Sequence, residues 1–196
     1  MNRRMMMRNL EVRASNDEGK NLHIEGYAAV FNQKTLLWES DWSGEKYYEI
    51  IEPGAVDGDT DMTDVVLRYN HSSDALILAR TGSGTLNLSV DASGIKFDAD
   101  LAPTNYGKDV YALIQRGDIS KMSFAFTVDK EAWESDDVAK ENLRRIKHIG
   151  KIVDVSAVDF PAYDGTSVTA REAGCIEELK RREEEQRNRL IISTYF

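Results

Sequence analysis

A serine, a histidine and an aspartate, each set in a strand-like run, carry the chemistry this chain can do. Ser123 lies in Met122-Ser123-Phe124-Ala125-Phe126, His71 closes Arg68-Tyr69-Asn70-His71, and Asp154 lies in Val153-Asp154-Val155-Ser156. A hydroxyl is a weak nucleophile at neutral pH, so Ser123 needs a base within about 3 Å, and an imidazole can serve. A carboxylate beside that imidazole fixes its tautomer and stabilises the imidazolium formed when it takes the proton. Asp154 suits this third place because an unpaired charge inside an apolar strand is costly. His148 and Asp159 are the alternatives to it. The order histidine, serine, acid is unlike the familiar triads, and chain order alone neither supports nor excludes such a site. Acyl chemistry also needs donors for an oxyanion; Arg80, the Gly82–Gly84 turn and backbone amides near Ser123 are candidates. Each residue has a plainer reading beside this one. Ser123 can be strand filler, His71 a turn residue, Asp154 a surface-facing strand residue and Arg80 a surface charge, the reading that spacing alone favours for Arg80.

Such side chains need rigid supports, and the chain predicts mostly strands. Leu10, Val12 and Ala14, then Leu22, Ile24, Gly26, Ala28 and Val30, alternate around the turn signal Asn16-Asp17-Glu18-Gly19, which predicts a hairpin. Residues 32–46 read as a polar loop. Tyr47 to Ile51 is a strand stopped by Glu52-Pro53-Gly54-Ala55, and residues 57–64 are a loop or short helix before Val65-Val66-Leu67. Leu86, Leu88 and Val90 alternate, as do Ile95, Phe97 and Ala99, with Asp91-Ala92-Ser93-Gly94 between them, which predicts a second hairpin. Val110, Leu113 and Ile114 share one face of a helix over 106–116 that Gly117 stops. The Ser123 strand follows, then a loop from Trp133 through 142, then two strands, Arg145 to Ile149 and Lys151 to Phe160. Many short strands with few helices predict an α+β, mainly β fold: an antiparallel, closed or nearly closed barrel with flanking helices.

From Ser167 the character changes. Thr169 to Leu190 is rich in Glu, Arg and Lys with sparse apolar positions, and reads as a solvated helix with pairs such as Glu177–Arg181 and Glu178–Arg182. The chain therefore divides into a body, 1–168, and a charged helical C-terminal extension, 169–196.

The 196 residues suffice for one sizeable core. The net charge of −9 belongs to the body, because from Arg171 onward six basic and six acidic residues cancel. An acidic body disfavours nucleic acid, whose binding needs clustered Lys and Arg. No apolar run approaches the roughly 20 residues of a bilayer span. Met1 to Arg8 is basic and Met-rich without the long apolar stretch of a secretory signal. A single cysteine, Cys175, excludes an intrachain disulfide, and the simplest setting is a reducing cytoplasm. No cofactor or metal is expected. Gly82-Ser83-Gly84 lacks the Lys-Ser/Thr of a phosphate loop, and Asp57-Gly58-Asp59-Thr60-Asp61 lacks the closing Glu of a calcium loop.

Taken in order, these segments resemble the prohead (procapsid maturation) serine proteases of tailed bacteriophages, a family related in fold to herpesvirus assemblins. The resemblance runs from about Glu11 to Val168. It rests on Gly26-Tyr27-Ala28-Ala29-Val30-Phe31-Asn32, Glu52-Pro53-Gly54-Ala55, Tyr69-Asn70-His71 with Leu78-Ala79-Arg80-Thr81, and Gly94-Ile95-Lys96-Phe97. It continues through Ile114-Gln115-Arg116-Gly117-Asp118-Ile119, Lys121-Met122-Ser123-Phe124-Ala125-Phe126, Val153-Asp154-Val155-Ser156-Ala157-Val158 and Pro161-Ala162-Tyr163. The resemblance implies His71 as base, Ser123 as nucleophile and Asp154 as third member. That third place is usually a glutamate in the family, and the aspartate here is shorter by one methylene. It further implies a serine endopeptidase whose substrates are the scaffolding segment of the major capsid protein and its own chain. The place of action would be the assembling procapsid inside the host bacterial cytoplasm, with a homo-oligomer as the working form. The charged extension would then be a packaging or scaffolding segment removed on activation. A catalytically silent scaffolding or capsid-assembly protein of the same fold is the alternative.

Overall fold

In the computed structural model, which describes residues 3–8, 12–14, 22–159 and 180–185, the alternating segments pair into two sheets. The elements run β1 (Arg3–Arg8), β2 (Val12–Ala14), β3 (Leu22–Val30), β4 (Thr35–Glu39), β5 (Lys46–Ile51), β6 (Val66–Tyr69) and β7 (Ala79–Arg80). They continue with β8 (Leu86–Val90), β9 (Gly94–Leu101), α1 (Asn105–Arg116), β10 (Lys121–Asp136) and β11 (Glu141–Val158). Residues 180–185, within the predicted charged helix, are helical. The remainder of that extension lies outside the described residues, as do the Asn16–Gly19 turn and Pro161-Ala162-Tyr163.

One sheet has the order β2-β3-β9-β8 and is antiparallel throughout. The other has the order β1-β10-β11-β5-β4, with β6 on β11 and β7 on β6. The protein is mainly β, as expected, but neither sheet closes on itself through the described pairings, so these pairings do not show the expected barrel. The pairing is also mixed: β11 runs parallel to β5 through Glu141–Ile146 and parallel to β6 through Asp154–Ala157. Parallel partners lie far apart in sequence and leave no turn signature between them.

Local chemistry explains the elements that match expectation. The β2–β3 pair sets Val12 opposite Gly26, and the β8–β9 pair sets Leu88 opposite Phe97. Between β8 and β9, Asp91 Oδ1 accepts from the amides of Ser93 (2.7 Å) and Gly94 (3.0 Å), which closes the turn. Helix α1 begins with Thr104, whose hydroxyl accepts from the Gly107 amide at 3.1 Å. It ends at Gly117, whose φ of 84° is left-handed and comfortable only for glycine.

Three expectations are corrected. Residues 35–39, expected as loop, form β4, because the Trp38 ring stacks on Tyr47 of β5 at 5.2 Å and the ladder continues beside it. The Ser123 strand does not stop before Trp133 but runs to Asp136. The two strands expected around Gly150 are one, β11, paired with β10 across register shifts between Thr127 and Glu131. The outer arm of β10 is largely solvated, whereas the facing arm of β11 keeps Ile146 and Ile149 in the core, and cross-strand ion pairs join the two. Arg145 donates to Glu134 at 2.6 Å, and Arg144 bonds Glu131.

The core sits between the sheets and under α1. Met122, Phe124 and Phe126 from β10 are fully buried with Ile24, Ile95, Phe97, Ile152 and Val155, each worth about 1.5–3 kcal/mol of transfer free energy. One buried pair is ionic. Glu49 of β5 is 0 % exposed and faces Arg144, its register partner on β11, at 3.1 Å. Replacing Arg144 by alanine leaves that carboxylate in the interior without its cross-strand cation. Urea denaturation is expected to show a loss of about 3–5 kcal/mol. A loss below about 1 kcal/mol would show that water or another group takes over the charge.

Candidate active site

The Ser123 strand alternates, so Met122, Phe124 and Phe126 enter the core and Ser123 and Ala125 take the opposite face. Antiparallel pairing with β11 places Ser156 opposite Ser123 and Asp154 opposite Ala125. Residues directly opposite share a face, so Ser123, Ser156, Asp154 and Ala125 lie together on one face, with the nucleophile and acid candidates as diagonal neighbours. The histidine comes from the other edge of β11. Strand β6 runs parallel to Asp154–Ala157, and just past its end Asn70 and His71 both take left-handed conformations, with φ of 51° and 52°. That pair of residues turns the chain back over β11.

The resulting geometry is a chain of hydrogen bonds through one imidazole. His71 Nε2 lies 2.6 Å from Ser123 Oγ, and His71 Nδ1 lies 2.5 Å from Asp154 Oδ1. Ser123 is 0 % exposed, and His71 and Asp154 are buried beside it. The aspartate, one methylene shorter than the family's usual glutamate, spans the gap. The carboxylate is not held by the histidine alone. Ser156 Oγ donates to Asp154 Oδ1 at 3.0 Å while accepting from the His71 backbone amide at 3.2 Å. With Asp154 as acceptor, the proton of a neutral His71 sits on Nδ1 and the Nε2 lone pair faces the serine hydroxyl.

A left-handed histidine is strained, and the neighbourhood over-determines it. The Asn70 amide donates to the Ala157 carbonyl at 2.9 Å, and the Ser72 amide to the Tyr69 carbonyl at 3.1 Å. Asn70 and Asp159 clasp each other: Asn70 Nδ2 donates to Asp159 Oδ2 at 2.8 Å, and the Asp159 amide donates to Asn70 Oδ1 at 3.2 Å. The Tyr69 hydroxyl also donates to Asp159. Burial, then the bond to that carboxylate, pushes the Tyr69 phenol up to about 12, so it remains a donor at any physiological pH. Asp159, an alternative for the third place from sequence, thus braces the turn that presents His71.

The other candidates stand apart. His148, the second alternative, faces Asp57 at 3.3 Å and Asp129 at 3.4 Å, about 20 Å along β11 from Asp154 at the usual strand rise. Arg80 gives Nε and Nη2 to Asp64 at 2.6 and 2.8 Å, and this pairing holds the Asp64 carboxyl below the usual range. Its bonds do not run to Ser123, His71 or Asp154, and the Gly84 amide is spent on the Thr81 carbonyl. Among the described residues no cluster of His, Cys, Asp and Glu could hold a metal, and no helix is long and apolar enough to cross a membrane.

The sequence pattern of the caudovirus prohead serine proteases matches residues 8–195. The chain belongs to this family. No curated protein and no solved structure matches it. The prohead protease match takes in all three residues of the site and extends across the charged extension. Within this site, spacing missed the contribution of Ser156. The signal was there: Asp154 and Ser156 are two residues apart, the period that puts both on one face of a strand.

Proposed function

We propose that the protein is a serine endopeptidase of phage capsid maturation in which Ser123 is the nucleophile, His71 the general base and Asp154 the residue that orients it. The observation that carries this reading is the His71 ring, within 2.6 Å of the serine hydroxyl on one side and 2.5 Å of the carboxylate on the other. Ser123 Oγ attacks the scissile carbonyl carbon as its proton passes to His71 Nε2. Collapse of the tetrahedral adduct breaks the C–N bond, and the departing amine takes that proton. Water repeats the sequence on the acyl-serine, releasing the acid and restoring the hydroxyl. Asp154 stays ionised and stabilises the transient imidazolium.

Family membership supports the substrate: the scaffolding segment of the major capsid protein, and the protease's own chain, within the assembling procapsid in the host bacterium. A homo-oligomer is the working form under this reading. Residues 1–168 are the protease domain, and the segment after about residue 168 is a packaging extension removed on activation. Co-expression with the major capsid protein of the same phage tests the reading by mass spectrometry. Wild type is expected to shorten the capsid protein and to lose its own Phe196, whereas His71→Ala leaves both chains intact. Equal processing by His71→Ala would overturn the catalytic assignment, and an active wild type that keeps Phe196 would overturn removal of the extension.

A further inference from the structure

The fully buried nucleophile has a neighbour that the catalytic mechanism does not use. β1, residues Arg3–Arg8, lies antiparallel along the outer edge of β10, with Met7 opposite Ser123, Met6 opposite Phe124 and Met5 opposite Ala125. β1 ends the sheet order, so without it the edge of β10 from Met122 to Thr127 would be open. An open edge beside a nucleophile is a site for an extended peptide, because unpaired amides and carbonyls accept another strand through main-chain bonds. Here that edge is occupied, and Ser123 is 0 % exposed. Two grooves of the surface lie elsewhere. One of about 400 Å³ is lined by Ile77, Ala79 and Arg80, and one of about 310 Å³ by Trp38, Trp42 and Trp133; neither includes a residue of the trio.

We propose that the outer edge of β10 is the strand-accepting substrate site and that residues 3–8 fill it in cis, as a stand-in for an extended peptide that must leave before substrate enters. The inference rests on the reading of Ser123 as nucleophile. Three observations carry it: the register across Ser123, the closure of the site in this conformation, and the position of β1 in sequence. The family match begins at residue 8, so β1 falls outside it except for its last residue. The occupant is therefore not part of the pattern shared across the family. Only residues 9–11 join β1 to β2, and a tether that short keeps the strand at a local concentration in the millimolar range. A peptide arriving in trans competes poorly with it. Departure of β1 exposes the edge and the hydroxyl together.

The test is carried out on the full chain. Successive amides of a strand point to opposite edges, so in the double variant Met6→Pro/Met7→Pro one lost amide must face β10, and proline cannot donate there. Labelling of Ser123 by a fluorophosphonate is expected to be at least about tenfold faster in this variant than in wild type, because the cis strand no longer holds at its tethered concentration. A synthetic peptide of residues 2–9 is expected to slow the variant's labelling again. Equal labelling of the two chains would overturn the inference while leaving Ser123 as nucleophile. No labelling of either would remove the nucleophile and the inference with it. A second measurement does not depend on the variant folding. In wild type, the β10 amides between Met122 and Thr127 that point away from β11 should resist hydrogen exchange, and exchange at the rate of an open edge would overturn the proposal.

Discussion

In a Ser123→Ala variant, cleavage of the capsid protein is expected to fall by about six orders of magnitude while the fold survives. The size follows from the role of nucleophile proposed for Ser123. Without Oγ there is no acyl-enzyme, and what remains is whatever binding and hydrogen bonding do for direct attack by water, which in serine proteases is about a millionth of the intact rate. The fold should tolerate the change. Ser123 is 0 % exposed, but its core-facing neighbours Met122 and Phe124 keep their packing, and the missing hydroxyl leaves only His71 Nε2 without its 2.6 Å partner. An unsatisfied buried acceptor costs about 1–3 kcal/mol. Intact-mass time courses read the activity and thermal melts the stability. A folded variant that still shortens the capsid protein at the wild-type rate would place the nucleophile elsewhere.

Asp154→Asn is expected to lower kcat by about ten-thousandfold with little change in KM, although it is nearly isosteric. The reason is the tautomer. The carboxylate only accepts, from His71 Nδ1 at 2.5 Å and from Ser156 Oγ at 3.0 Å. The Ser156 hydroxyl, tied to the His71 amide at 3.2 Å, fixes which oxygen faces the ring. An asparagine can turn its NH₂ toward Nδ1, which moves the ring proton to Nε2 and aims a donor at the serine hydroxyl. The base is then lost without a change in shape. Ser156→Ala keeps the charge and loses only the brace, so its loss should be much smaller. If Asp154→Asn retained most of the wild-type kcat, Asp154 would be a structural partner of His71 and not its orienter.

Much of this site was legible in residue types, and the reasons differ from residue to residue. Ser123 stood out because a hydroxyl between Met122 and Phe124 interrupts an apolar run. His71 stood out because it ends a strand and is one of only three histidines. The helix was legible from its apolar face and from its stop at Gly117, because both are local properties of the chain. β4 was not legible, because its support is a ring stacked across from β5 and not a pattern of its own. Nor was the length of β10 and β11, because the outer arm of β10 is largely solvated and is tied to β11 by cross-strand ion pairs.

Choosing among the acids needed the fold. Asp154 and Asp159 are five residues apart, an odd step where the strand period is two. Composition could not say which of them meets the imidazole. Parallel pairing of β6 with Asp154–Ala157 decided it, by carrying His71 to that stretch of β11, while the left-handed turn at Asn70 and His71 set the ring over Asp154 and used Asp159 as the clasp. The sequence by itself determined what is local: alternation, caps, turns, and a set of side chains able to do acyl chemistry. Tertiary structure alone decided which of those side chains meet, because a 2.5 Å contact between residues 83 positions apart depends on strand register, and register is set by pairings that leave no mark in either segment alone.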